Sequence, residues 1–229
     1  DFMITACIIS KNEEKNIEKC LDSLTKAGFE IVLVDTGSKD KTVELAKKYT
    51  KNIYFFKWNG DFSAARNYAL EKAGGDYVLV IDCDEYVISG TASQLEESMI
   101  KNDDQVGRIL CCNYMTKDGE RCENKEWLNR VFNKNKFKYF GHVHEQVTAF
   151  NKEKYVAYKT SLVIGHTGYD LSIEEKEKKA NRNIELLMNE LNEYEKDMEK
   201  YVEELPYTYY QLGKSYYMIK NYDKAIFYF

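Results

Sequence analysis

Short apolar runs alternate with amphipathic stretches through the first eighty or so residues, and that alternation sets the expected fold. Met3–Ile9, apart from Thr5, and Ile31–Val34 are apolar, as strands covered on both faces are. Ile53–Phe56 and Tyr77–Ile81 repeat the pattern. Between the first two runs, Ile17, Leu21 and Leu24 recur at i, i+4 and i+7 and make one apolar helix face. Asn12 is placed to cap that helix, with Glu13 and Glu14 in its first turn, and Gly28 to end it. Ser38 or Asp40 starts a second helix, with Val43, Ala46 and Tyr49 along one side. Asp61 or Ser63 caps a third, which Gly74-Gly75 terminates. Three strand–helix units and a fourth strand predict a mostly parallel sheet with helices on both faces.

After Tyr86 the pattern changes. A helix is expected around Ser93–Ile100, then short strands near Arg108–Tyr114, Trp127–Phe132, Glu145–Ala149 and Tyr155–Ile164. Turn signals stand at Lys117-Asp118-Gly119 and Asn133–Asn135. A long charged helix from Glu174 to about Glu204 carries Ile184, Leu187 and Leu191 on one side, and Pro206, the single proline, is expected to break it. In the tail, Tyr209, Leu212, Gly213, Tyr216, Ala225 and Phe229 match the positions that define a tetratricopeptide repeat. One repeat cannot bury its own face, so further repeats are expected to follow; the rival is a single helical hairpin packed on the main domain. The expected domains are 1–170, a linking helix 171–204 and a partial repeat 205–229.

Composition narrows the function classes. The 229 residues are 44% hydrophobic, enough for a core, and carry a net charge of −5. No basic stripe suits nucleic acid. No run approaches the ~20 apolar residues of a membrane span. Cys7, Cys20, Cys83, Cys111, Cys112 and Cys122 form no CxxC pair. They read as reduced, structural thiols of a cytoplasmic protein rather than a disulfide scaffold.

Ligands of parallel sheets bind at the carboxyl ends of the strands, where Ser10, Asp35 and Asp82 fall. Asp82-Cys83-Asp84 sets two carboxylates one residue apart, able to face one hard cation that would hold a diphosphate and neutralise it as it leaves. Alone, such a triplet often marks only a turn. Asp35-Thr36-Gly37-Ser38 opens a helix, and Asp35 either accepts from a base or ribose or belongs to an ordinary capped turn. Arg66 and Asn67, in the first turns of the third helix, suit an anion or a plain surface. His142, His144 and His166 are the only histidines, and their confinement to one window points to a third metal ligand and a general base. The run Glu174–Lys179 is a solvated helix face, and the tyrosines from Tyr194 to Tyr228 are repeat core rather than a ligand platform.

Together these residues resemble the family-2 inverting glycosyltransferases. The stretches that carry the resemblance are Ile8–Glu14, Val34–Thr42, Asp61–Asn67 and Ile81–Glu85, within about residues 3–170. Phe140–Glu145, Gly165–Tyr169 and the tail are most similar to the bacterial peptide and protein branch, which modifies sublancin on sulfur and flagellin. The resemblance implies a GT-A fold, a Rossmann-like mixed, mostly parallel sheet. It implies a UDP-sugar donor, Mn²⁺ or Mg²⁺, and a protein or peptide acceptor, with the tail holding the acceptor or mediating a homodimer. By analogy Ser10, Asn12, Glu13, Asp35, Gly37, Ser38, Asp61, Arg66, Asn67, Asp82 and Cys83 would surround the nucleotide sugar. Asp84, His166 and Asp82 would hold the metal, and Glu145 would be the base. Two departures stand out: Cys83 where the family has a small residue, and Thr36 where it often has a second Asp. A glycan or lipid acceptor is the alternative substrate class. A nucleotidyltransferase would need a Gly/Arg-rich loop where Ser10–Glu14 stands, and an inactive adaptor would not be expected to keep Asp82, Asp84, Glu145 and His166.

Overall fold

The computed structural model describes residues 4–117, 120–167 and 172–229, and of 115–117, 120–122 and 173 the backbone alone. The turn at Asp118-Gly119, the pair Gly168-Tyr169 and the Cys122 side chain lie outside this description. The chain divides into two compact units. The first is Asp1–Asn59, Ala64–Phe140 and Val147–Asp170; the second gathers Gly60–Ser63, Gly141–Gln146 and Leu171–Phe229.

The first unit is built on an eight-stranded sheet ordered β3-β2-β1-β4-β7-β6-β10-β5. Four parallel strands come from the apolar runs: β1 (Thr5–Ser10), β2 (Glu30–Asp35), β3 (Ile53–Phe55) and β4 (Tyr77–Val80). The long hairpin of β6 (Val106–Lys117) and β7 (Glu120–Asn133) then sets β7 antiparallel to β4. β10 (Ala157–His166) runs parallel to β6, and β5 (Glu85–Ser89) closes the edge antiparallel to β10. The sheet is therefore mixed, with its parallel half where the strand–helix alternation predicts it.

Successive side chains of a strand point to opposite faces, so each buried strand feeds two cores. On one face Ala6, Ile8, Leu33 and Leu79 pack with Ile17, Leu21 and Leu24 of α1 (Ile17–Lys26), Ala46 of α2 (Thr42–Ala46), and Leu95 and Met99 of α4 (Ala92–Lys101). On the other, Cys7, Val32, Val34, Val78 and Val80 meet Ala69 and Leu70 of α3 (Phe62–Lys72). The same core includes Phe137 and Tyr139 of β8 (Phe137–Phe140) and Val147 of β9 (Gln146–Ala149), the two strands of a second small sheet. Cys7, Cys20, Cys83, Cys111 and Cys112 are buried free thiols, and burial pushes Cys7 up to about 12.

Three helix signals resolve differently from expectation. Asn12 does not cap α1, which starts at Ile17; it adopts a left-handed turn (φ 55°) and bonds across to the next loop. The second helix is a short turn beginning at Thr42, whose N–H is met by Asp40, while Ser38 binds Asp35. The long helix ends at Tyr194, well before Pro206. Pro206 instead lies in the first turn of the next helix, where its missing N–H costs nothing.

In the second unit, α5 (Ile173–Tyr194) opens on a capping box between Ser172 and Glu175. A single 3₁₀ turn at Glu195–Asp197 follows, then α6 (Leu205–Met218) and α7 (Tyr222–Tyr228). Gly213 of α6 faces the Phe229 ring, where an added Cβ would come within 2.8 Å. Residues 174–179 are exposed, as their charge predicts. No helix of the described residues is long and apolar enough to cross a membrane.

Candidate active site

Two loops at the carboxyl ends of β1 and β2 are cross-bonded into one frame. The Asn12 N–H donates to Ser38 Oγ (2.8 Å), Glu13 N–H to Thr42 Oγ1 (2.7 Å) and Glu14 N–H to Asp40 Oδ2 (3.1 Å). In return the Lys39 N–H donates to Asn12 Oδ1 (2.8 Å). Asp35, buried at the end of β2, anchors the frame. Its Oδ1 accepts from the N–H groups of Gly37 and Ser38, both at 2.9 Å, and its Oδ2 from the hydroxyls of Ser10 and Ser38. Gly37 takes φ 110°, the left-handed region that glycine adopts without strain. Ser10, Asn12, Asp35, Gly37 and Ser38 are thus brought together, with Asp35 ordering the turn rather than reaching out of it. Glu13 lies in the same frame, and burial raises its carboxyl.

At the end of β4 the chain turns through Asp82-Cys83-Asp84 into β5. The two carboxylates meet different partners. Asp82 Oδ1 takes Arg66 at 2.8 Å and Oδ2 takes Arg130 at 3.1 Å. Arg130 also reaches Glu85 Oε1 (3.4 Å), whose other oxygen accepts the Asp82 N–H (2.7 Å). Burial works to raise the Asp82 carboxyl, but the two guanidiniums override it and hold it well below the usual range. Glu85 is 3% exposed; burial pushes its carboxyl up to about 7, against the pull of Arg130.

Asp84 Oδ2 stands 3.1 Å from Nε2 of His166, at the end of β10. The imidazole's other nitrogen, Nδ1, is 2.9 Å from Asn113 Oδ1 on β6, and Asn113 Nδ2 donates to Glu126 Oε1 (2.7 Å). Glu126 therefore fixes which way the Asn113 amide points. Asn113 in turn assigns the proton to Nδ1 and leaves Nε2 facing Asp84. A carboxylate oxygen beside an oriented imidazole nitrogen suits a hard to borderline divalent cation. Among the described residues no group of three His, Cys, Asp or Glu side chains is gathered for a metal.

Three of the expected site residues are engaged by partners within the protein. Asp82 is not grouped with Asp84 and His166; each of its oxygens is paired with an arginine. Cys83 turns inward, 4% exposed, with its thiol toward the Ile9 carbonyl (3.4 Å). Asn67 clamps β8 through both ends of its amide, Nδ2 to the Tyr139 carbonyl and Oδ1 from the Tyr139 N–H. Arg130, Glu85, Asn113 and Glu126 were not among the expected site residues. The visible signal for Arg130 was a cation inside the run Trp127–Phe132; for Glu85 it was a third acid directly after Asp84.

Asp61 and Glu145 belong to the second unit. There His142 Nε2 is 3.9 Å from Asp61 Oδ2 and 3.5 Å from Glu193 Oε2. His144 lies against Asn183 (3.4 Å), and burial lowers its pKa. Glu145 is half-buried on the segment between β8 and β9.

Residues 5–159 match the sequence profile described as Glycosyl transferase family 2. The chain belongs to that family. It is 30% identical over 197 residues to the SPbeta prophage-derived glycosyltransferase SunS of Bacillus subtilis (strain 168), covering 80% of this chain and 44% of that protein. A TPR repeat-containing protein of Synechococcus elongatus is 32% identical over 116 residues, 46% of this chain and 29% of that protein. The uncharacterized glycosyltransferase EpsJ of Bacillus subtilis (strain 168) is 32% identical over 141 residues, 58% of this chain and 40% of that protein. The chain thus spans less than half the length of each of these relatives. Among solved structures, S. aureus TarS 1-349 in complex with UDP-GlcNAc aligns with a TM-score of 0.48 at 16% identity, over 98% of this chain and 84% of that one. The family-2 chain carries a glycosyltransferase domain in a GT-A-like mixed α/β fold.

Proposed function

We propose that this glycosyltransferase domain moves a sugar from a UDP-sugar to a Ser, Thr or Cys side chain of a protein or peptide, with inversion at the anomeric carbon. The observation that carries the reading is the oriented Asp84–His166 pair at the carboxyl end of the sheet, beside the Asp82–Arg66–Arg130 cluster. Asp84 and His166 would hold Mn²⁺ or Mg²⁺, which supplies positive charge to the departing diphosphate. The frame of Ser10, Asn12, Asp35 and Ser38 is cross-bonded, which suits it to seat the nucleoside. Arg66 and Arg130 fix Asp82 in one orientation, so no reorganisation is needed when donor arrives.

Transfer is one in-line displacement. The acceptor oxygen or sulfur forms its bond to the anomeric carbon as the bond to the diphosphate oxygen breaks. Glu145 takes the acceptor's proton, and UDP leaves with the bonding pair. The peptide or protein acceptor rests on the likeness of Phe140–Glu145 and Gly165–Tyr169 to that branch of the family. We read the tail as tetratricopeptide-like, serving acceptor binding or dimerisation. Its support is the close crossing of Gly213 and Phe229 and the TPR repeat-containing relative.

The test is calorimetric titration of the chain with UDP, UDP-glucose and UDP-N-acetylglucosamine, each with and without Mn²⁺. Metal-dependent binding of a sugar nucleotide that Asp84→Ala abolishes is the expected result. Undiminished affinity in Asp84→Ala would remove that residue from the site.

A further inference from the structure

We infer that Glu190, on α5, is a positioning residue for the Gly141–Gln146 segment and through it for Glu145. The inference deepens the proposed reading and rests on Glu145 being the base. The segment is a strained turn. Gly141 takes φ 102° and His144 φ 56°, and a non-glycine residue in that region persists only where its surroundings hold it. Glu190 supplies that hold from within the second unit. Its Oε1 accepts the His142 N–H at 2.6 Å, and its Oε2 accepts the Thr208 hydroxyl of α6 at 3.1 Å. The Tyr194 phenol also bonds to it, one turn further along α5.

The carboxylate is 3% exposed. Burying a charge is costly unless it is hydrogen-bonded, and the donors that meet this one come from the turn and two helices. Gly141 adjoins both the Glu190 carboxylate and the backbone of the proposed base: a Cβ there would lie 3.5 Å from Glu190 Oε1 and 3.6 Å from the Glu145 Cα. Further contacts hold the same turn. The Phe62 N–H donates to the His142 carbonyl (2.8 Å), and Gln146 Nε2 and the Tyr207 hydroxyl donate to the His144 carbonyl (3.0 and 3.4 Å). Glu190 is the one among these that joins the turn to α5 and α6 at once. α5 and α6 thus hold the turn that carries the proposed base.

The experiment compares Glu190→Ala, Glu190→Gln and Thr208→Val in the full chain, with circular dichroism to confirm folding. Two quantities are read: hydrogen exchange of the 141–146 amides, and kcat and KM for UDP release from UDP-glucose or UDP-N-acetylglucosamine with Mn²⁺, water serving as the acceptor. Glu190→Ala should free the amides and lower kcat on the order of ten-fold or more while KM for donor stays within about two-fold. Glu190→Gln, which keeps an acceptor oxygen, should fall between it and wild type, and Thr208→Val should shift both readouts in the same direction by less. Should Glu190→Ala fail to fold, the last two variants carry the test. Wild-type exchange across 141–146 in the folded variants, or a raised KM at unchanged kcat, overturns the inference. If Glu145→Gln keeps wild-type kcat while the Glu190 variants still free the segment, the base assignment fails and the hold on the turn stands.

Discussion

Asn113 is the residue on which the Asp84–His166 pair depends. It is fully buried, and its carbonyl oxygen decides which imidazole nitrogen carries the proton. Residues behind a metal ligand typically contribute 10–100-fold in affinity. Asn113→Ala should therefore weaken Mn²⁺ by about that factor, measured by titration, while nucleotide binding without metal changes little. The pH dependence follows from His166. Burial lowers its pKa, but the hydrogen bond to Asp84 and the charges of Asp84, Glu85 and Asp82 raise it above the ordinary 6.5. In the proposed reading, proton and cation compete for Nε2. Above the raised pKa the ring is neutral and affinity is at its plateau; below it, affinity falls toward ten-fold per pH unit. The fall should begin at higher pH than for an ordinary histidine, and Asp84→Asn should move its onset down. A Mn²⁺ affinity independent of pH between about 5 and 8 would exclude His166 as a ligand.

At the scale of elements, Asp103 ties the opposite end of the sheet. It accepts from the Tyr77 hydroxyl on β4 (2.9 Å), from Asn133 Nδ2 at the end of β7 (2.7 Å) and from Lys136 in the turn to β8. The Lys136 pair is exposed and screened, so its share of the stability is discounted. Asp103→Ala should cost about 1–2 kcal/mol in denaturant melts. The hydrogen bond from Lys136, then those from Asn133 and Tyr77, lower the Asp103 carboxyl below its ordinary 3.8 in the folded state. A depressed carboxylate stabilises above its unfolded pKa and loses that contribution as pH falls through the folded value. The gap between wild type and variant should thus be constant above about pH 5 and narrow as pH falls through the carboxylate range. The sequence made the main elements legible because periodicity tracks burial: Ile17, Leu21 and Leu24 are all fully buried, as their spacing demands. It hid β5 and β8, four or five residues each, too short for a periodic signal. It misread Asn12 and Pro206, because a capping residue or a proline marks a helix boundary without saying on which side the helix lies.

At the scale of the whole molecule, the candidate site could be read only in part. Asp84 and His166 were identifiable as acid and imidazole, but they lie 82 residues apart in sequence, and only the pairing of β10 with β5 and β6 brings them to 3.1 Å. Asn113 and Glu126 were invisible because a buried amide in a strand has no local signature. Donor recognition, in the proposed reading, rests on residues of the first unit, and proton removal on Glu145 of the second. The two should therefore separate in experiment. Asp84→Ala should remove metal-dependent donor binding, whereas Glu145→Gln should leave donor affinity unchanged and lower transfer to a hydroxyl on the order of 10²-fold. The size of the second effect depends on the acceptor. A serine hydroxyl gives up its proton only with help, but a cysteine near its pKa of about 8.5 supplies thiolate without a base. Paired peptides differing only in Ser or Cys should then show a large loss with Glu145→Gln for the hydroxyl and a small one for the thiol, the latter shrinking further as pH rises. Equal losses on both peptides would mean that Glu145 positions the acceptor and does not take its proton.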